Sequence, residues 1–176
     1  MSYQQIPDYP ENYSSGNIIS RFIDGLGYRY YWATEELTDK DLKYKPSAEG
    51  KSTYETIEHL YWLSIMILDA PQHITSIRLT KDDLSKITFK NLRENTLHNL
   101  KKASELCAGK TANDIAVFTV RIQKGEDTLE FPFWNMMNGP ISDALYHTGQ
   151  IVSFRRSSGN PIHPRVSVFL GKTKEL

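Results

Sequence analysis

The stretch Pro140-Ile-Ser-Asp143-Ala-Leu-Tyr-His147-Thr-Gly-Gln150-Ile-Val-Ser-Phe154 decides how this chain is read. Pro140, Asp143, Ala144, His147, Ile151 and Phe154 recur at intervals of three and four, which is one stripe of an α-helix. A carboxylate and an imidazole therefore share an apolar face, one turn apart. The pattern predicts a helix from about Pro140 to Ser158, with an earlier start near Trp134 broken at Asn138-Gly139-Pro140. Its end is marked by Arg155 and Arg156 in the last turn, where they complement the helix dipole, by Gly159 at the left-handed position and by Pro161 beyond it.

Working outward, three more amphipathic helices are expected. Ile19, Phe22, Ile23, Leu26, Tyr30, Ala33 and Leu37 form the stripe of the first, in which Gly25 and Gly27 suggest a close neighbour or a local irregularity. A polar crossover, Thr38 to Lys51, leads to a second helix opened by the capping box Ser52-Thr-Tyr-Glu55 and stopped at Pro71, with Thr56, His59, Leu60, Leu63, Met66, Ile67 and Ala70 on one face. After a mixed, lysine-rich stretch, residues 71 to 90, Leu97, Leu100, Ala103 and Cys107 give a third helix ending near Gly109. The period then changes to two from Ala116 to Ile122 and again over Leu129, Phe131 and Phe133, which predicts a β-hairpin with Pro132 on an edge strand.

Lysine plus arginine equals aspartate plus glutamate at 21 each, so no electrostatic excess draws the chain to nucleic acid. No stretch is apolar enough to span a bilayer and the N-terminus lacks a signal-peptide pattern, so a cytoplasmic location is expected. Cys107 is the single cysteine, which leaves histidine and carboxylate as the available metal ligands.

If the stripes of the second and fourth helices face each other, His59, Asp143 and His147 converge. Two imidazoles and a carboxylate suit Zn²⁺, Ni²⁺ or Fe²⁺ and leave a coordination position open. The same residues also suit a metal-free core, with Asp143 and His147 as a hydrogen-bonded pair and His59 satisfied by a backbone carbonyl or by Tyr146. Ferritin-like Glu-x-x-His pairs are excluded, because Thr56 and Ala144 stand three residues before the two histidines. There is no His-Glu-x-x-His, Cys-x-x-Cys, Gly-x-Gly-x-x-Gly, P-loop or Gly-x-Ser-x-Gly motif. His73, His98 and His163 read as loop or surface residues, and Cys107 as core.

Asp143-Ala-Leu-Tyr-His147-Thr-Gly-Gln150-Ile, together with Thr56-Ile-Glu-His59-Leu, resembles the DinB/YfiT-like family over about residues 14 to 160. The resemblance implies a four-helix bundle with a divalent metal at one end, held by a histidine of the second helix and a His-x-x-x-His pair of the fourth. His59 and His147 match two of these ligands, while Asp143 stands where the family usually has a histidine. The implied activities are metal-dependent thiol transfer, with glutathione, mycothiol or bacillithiol as nucleophile, and hydrolysis, with zinc or nickel ahead of iron. Trp62 would wall the pocket and Gln150 would offer a polar contact, against plain core packing and a helix-side hydrogen bond.

The expectation is thus an all-α, DinB/YfiT-like four-helix bundle with a small β-hairpin inserted before the last helix. It forms a single domain over 1–176, with an extended lead-in at 1–13 and a tail at 161–176. It acts on a small-molecule substrate, binds neither nucleic acid nor membrane, and self-associates as a homodimer through an apolar helical face. The alternative is a non-catalytic binding or assembly module in which the same residues form a buried His/Asp cluster; iron and dioxygen chemistry is a third reading.

Overall fold

Hydroxyl side chains set where most of the helices begin. Ser14 accepts from the Asn17 amide at 3.3 Å and opens α1, Ser15–Thr34. Ser52 and Glu55 form the expected reciprocal box that opens α3, Thr53–Asp69, with bonds of 3.1 and 2.7 Å. Thr88 opens α5, Phe89–Cys107. These are three of the four long helices in a computed structural model that describes residues 3–173, and the protein is mainly α-helical.

The fourth, α8, Ser142–Ser158, has no capping side chain, because the chain enters it from a preceding turn of helix. That entry consists of α7, Trp134–Met136, and a wide turn over Met137–Ile141, where Gly139 leaves helical geometry at φ −95° and ψ −108° and Pro140 has no amide to donate. The predicted break is where the sequence placed it. At the other end Gly159 takes φ +95°, the left-handed cap.

α1 packs against α5 and α8, and α3 packs against the same two helices. Ile23, Leu26 and Tyr30, Ile57, Leu60 and Ile67, Leu92 and Leu100, and Ile151 meet in one core. Burying each such side chain contributes about 1.5–3 kcal/mol. Phe22 departs from its expected stripe and is exposed. The first helix also stops at Thr34, short of Leu37.

Between the long helices the chain is more ordered than its polarity suggests. The crossover after α1 contains α2, Asp39–Lys43, and the stretch before α5 contains α4, Lys81–Ser85. Ala116, expected in a strand, ends a further helix, α6, Ala112–Ala116. Each of these short helices is opened by the same device, a threonine whose hydroxyl takes the N3 amide while an aspartate at N3 returns to the threonine amide: Thr38 with Asp41, Thr80 with Asp83, Thr111 with Asp114.

The hairpin is present as β2, Thr119–Lys124, paired antiparallel with β3, Asp127–Pro132, with Val120 opposite Phe131 and Ile122 opposite Leu129. β1, Thr75–Ser76, adds to it in parallel, so the insert is a three-stranded sheet in the order β1-β2-β3. Pro132 ends the edge strand β3, opposite Thr119, as expected for a residue with no amide to donate.

From Tyr3 the expected extended lead-in is irregular, with a turn and bends, and it is packed. Tyr3 and Ile6 are buried, and the Tyr3 hydroxyl donates to Asp24 at 2.8 Å. Tyr3 lies so close over α1 that a Cβ on Gly27 would come within 2.5 Å of its ring, which accounts for that glycine. The Ile6 amide donates to the Gly171 carbonyl at 2.8 Å, tying the lead-in to a tail folded as β4, Val166–Ser167, against β5, Lys172–Thr173. Among the described residues no helix is long and apolar enough to cross a membrane.

Candidate metal centre

α3 carries His59 and α8 carries Asp143 and His147, and the packing of these two helices brings the three side chains together. One donor atom from each lies within 4.8 Å of the other two. His59 Nε2 is 3.1 Å from Asp143 Oδ2, and His147 Nε2 is 3.3 Å from Asp143 Oδ1. The imidazole rings meet edge to face with centroids 4.7 Å apart. Both are largely covered, while the Asp143 side chain is 43% exposed and forms the open side of the cluster.

Gln150, expected only as a polar contact, has a sharper place. Its Oε1 lies 2.7 Å from His147 Nδ1, an arrangement that forms a hydrogen bond when the imidazole carries a proton on Nδ1. In a neutral His147 the lone pair is then on Nε2, facing a carboxylate oxygen. Two acceptors at 3.3 Å repel unless a proton or a metal ion lies between them. A carbonyl oxygen on the far nitrogen is also the usual device for orienting a metal-ligating histidine.

His59 is held differently. Its Nδ1 is buried without a hydrogen-bond partner among the described residues, so Asp143 is its polar anchor, rather than a backbone carbonyl or Tyr146. Tyr146 is exposed and sets its ring edge-on to His147. Burial lowers the His59 pKa below the ordinary imidazole value; the Asp143 hydrogen bond opposes this, and the charges of His147 and Lys51 add to it. Burial thus favours the neutral imidazole, the form a metal requires.

The donor set fits a divalent ion. Tetrahedral zinc with bonds of about 2.0–2.1 Å places its ligand atoms roughly 3.4 Å apart. Side-chain shifts of about an ångström would bring these three atoms to that spacing.

Two hollows meet at His59 and Trp62. One, about 620 Å³, has apolar walls from Trp62 and Met66 of α3 and from Val120, Ile122 and Phe131 of the sheet, with Asn138, Ser142 and Asp143 at its polar edge. The sheet is thus a wall of the site, a role that strand periodicity alone does not disclose. The other, about 410 Å³, runs past Trp62 toward Lys51, Arg78 and Lys81. Trp62 is half-buried and lines both.

The remaining candidates lie apart. His73, His98 and His163 are exposed. Cys107 is buried in the core, and burial pushes its thiol up to about 11, which excludes it as a thiolate nucleophile. Arg155 is not the solvent-facing dipole complement that its place in the last turn of α8 suggests. It is 3% exposed, and its guanidinium donates to the Trp32 and Ala33 carbonyls at 2.8 and 3.2 Å, so the helix end it complements is that of α1. No family model, curated protein or solved structure matches the chain.

Proposed function

We propose that the chain is a divalent-metal-dependent enzyme of the DinB/YfiT-like class, a four-helix bundle that performs thiol transfer or hydrolysis on a small molecule. The observation that carries this reading is the convergence of His59, Asp143 and His147, with Gln150 Oε1 against the far nitrogen of His147. These three residues would hold the ion, zinc or nickel ahead of iron. A bound ion would supply Lewis acidity, lowering the pKa of a water or substrate thiol so that it loses its proton to solvent near neutral pH.

The chain's own residues supply the rest. Asp143, on the open side, leaves room for a substrate atom beside the two histidines. Trp62 and the sheet give the adjoining hollow apolar walls, against which the uncharged part of a substrate would pack. With Cys107 buried, any thiol in the reaction belongs to a substrate.

Metal titration with elemental analysis tests the proposal. The wild type should bind a divalent ion with a Kd of micromolar or below, and His147→Ala should lose it. A wild type that binds none, or a variant that binds equally well, overturns it. A second reading is favoured by one feature: Asp143 already accepts a hydrogen bond from His59, so the cluster has polar pairing of its own. A non-catalytic module with that cluster would melt at the same temperature with and without chelator, whereas a metal at a hundred times its Kd stabilises the fold by about 2.7 kcal/mol.

A further inference from the structure

The groove on the far side of Trp62 from the sheet has a charge pattern that the metal centre does not explain. Lys51 comes from the segment before α3, Arg78 from the connection after β1, and Lys81 from the first position of α4, so three separate elements bring cations to one hollow. Among the described residues none of the three has a hydrogen-bond or ion-pair partner. Elsewhere Lys45, Lys86, Arg93 and Arg121 each meet a carboxylate.

Two carboxylates line the same groove. Glu55 is committed, since it accepts from the Ser52 amide at 2.7 Å and faces Lys45 at 3.7 Å. Among the described residues that line the groove, Glu58 is left as the one uncommitted acid against three cations. Like charges gathered without partners destabilise a fold slightly, and an anion seated among them reverses that and is drawn in by the local field. A guanidinium also offers a planar fork that matches carboxylate or phosphate oxygens. The groove holds about 410 Å³, enough for the polar arm of a metabolite-sized ligand, and His59 lies on its wall.

We propose that this groove binds the anionic group, carboxylate or phosphate, of a small molecule whose reactive end reaches the His59–Asp143–His147 centre. The inference deepens the metal reading and rests on it. Arg78, Lys51 and Lys81 act as specificity residues, selecting an anion-bearing substrate over a neutral one of equal size.

The test uses the whole chain loaded with Co²⁺, whose visible spectrum reports a thiolate ligand directly. 3-Mercaptopropionate and neutral 2-mercaptoethanol are titrated as probes, each at low and high salt. The anionic thiol should bind about tenfold tighter at low salt, the scale expected of a few partly exposed charge contacts, and the preference should shrink at high salt. R78A combined with K81A should bring the two probes within about twofold while cobalt occupancy and its spectrum stay unchanged. Competition by acetate or by inorganic phosphate then distinguishes the two anions. Equal binding of both thiols to the cobalt-loaded wild type overturns the groove assignment and leaves the metal centre standing; failure to take up cobalt overturns the metal reading and, with it, this one.

Discussion

Replacing Asp41 by alanine removes the acceptor that fastens the C-terminal end of α8. Asp41 is 2% exposed, and its carboxylate accepts from the Ser158 hydroxyl, from Asn160 Nδ2 at 2.8 Å, and from the Thr38 amide and hydroxyl at 2.9 and 2.7 Å. Burial alone would raise its pKa, but these hydrogen bonds outweigh burial and hold the carboxyl well below the usual carboxylate range. A hydrogen bond to a charged group contributes about 1.5–3 kcal/mol, and breaking one side of a buried charged network costs about 3–5 kcal/mol. Thr38 is exposed and regains water when the acceptor is lost, so the lower figure, about 3 kcal/mol, is expected. In a chain of this length that lowers Tm by roughly 6–12 °C. Asp41→Asn should lose nearly as much, because its amide turns a donor toward either Thr38 or Ser158. The sign of the pH dependence follows from the lowered pKa. The contribution is complete above the unfolded-state value of about 3.9 and is lost as pH falls from there toward the folded-state value, at up to about 1.4 kcal/mol per pH unit. Urea unfolding followed by circular dichroism should therefore show the wild type and Asp41→Ala far apart at neutral pH and converging below about pH 4. A loss under about 1 kcal/mol at neutral pH, or a gap that does not narrow with acid, refutes the reasoning.

Other consequences are as direct. Gln150→Leu keeps the helix but removes the acceptor from His147 Nδ1, and metal affinity measured by competition with a chelating dye should fall about 10–100-fold with little change in Tm. Gly27→Ala forces a Cβ to within 2.5 Å of the Tyr3 ring and should destabilise by about 1–3 kcal/mol, while Gly25→Ala meets only the flexible Arg29 head at 3.3 Å and should be neutral or stabilising by up to about 1 kcal/mol; paired denaturation curves decide both. Native protein should resist iodoacetamide at pH 8, because the Cys107 thiol is buried and its pKa is pushed up to about 11, and should react readily in urea; rapid native labelling counted by mass spectrometry would contradict the core placement.

What the sequence discloses depends on how locally a feature is encoded. The long helices were legible because each carries its own apolar period, and α3 its own Ser52–Glu55 box. The break at Gly139-Pro140 was legible because proline and glycine state their backbone limits outright. The short helices α2, α4 and α6 are too brief for a period, yet their Thr-x-x-Asp boxes are written in the sequence, and a search for aspartate as well as glutamate at N3 finds them. β1 is different in kind: two residues that become a strand only because β2 lies beside them carry no signal of their own. Arg155 shows the same limit, since its place in the last turn of α8 says nothing about the carbonyls of α1 that it reaches.

The centre sits between these extremes. The i, i+4 spacing of Asp143 and His147 is local and legible; that His59 joins them depends on which helices pack, to which its place on the apolar stripe of α3 points. The lining of the two hollows was not readable, because it draws on α3, the sheet and the connection after β1 at once. That distribution has a chemical consequence. Aspartate in place of a third histidine leaves a bound divalent ion with one unit of charge less, so the centre attracts an anion less strongly and acidifies its water less than an all-histidine site would. Lys51, whose charge reaches His59, and Arg78 and Lys81 farther along the same groove, all without partners among the described residues, would add positive potential to one side of the centre, displaced from a bound ion. On the proposed reading, attraction and activation would be carried by different residues: Lys51, Arg78 and Lys81 would draw and orient a charged arm, while His59, Asp143 and His147 would hold the ion that acts on the other end.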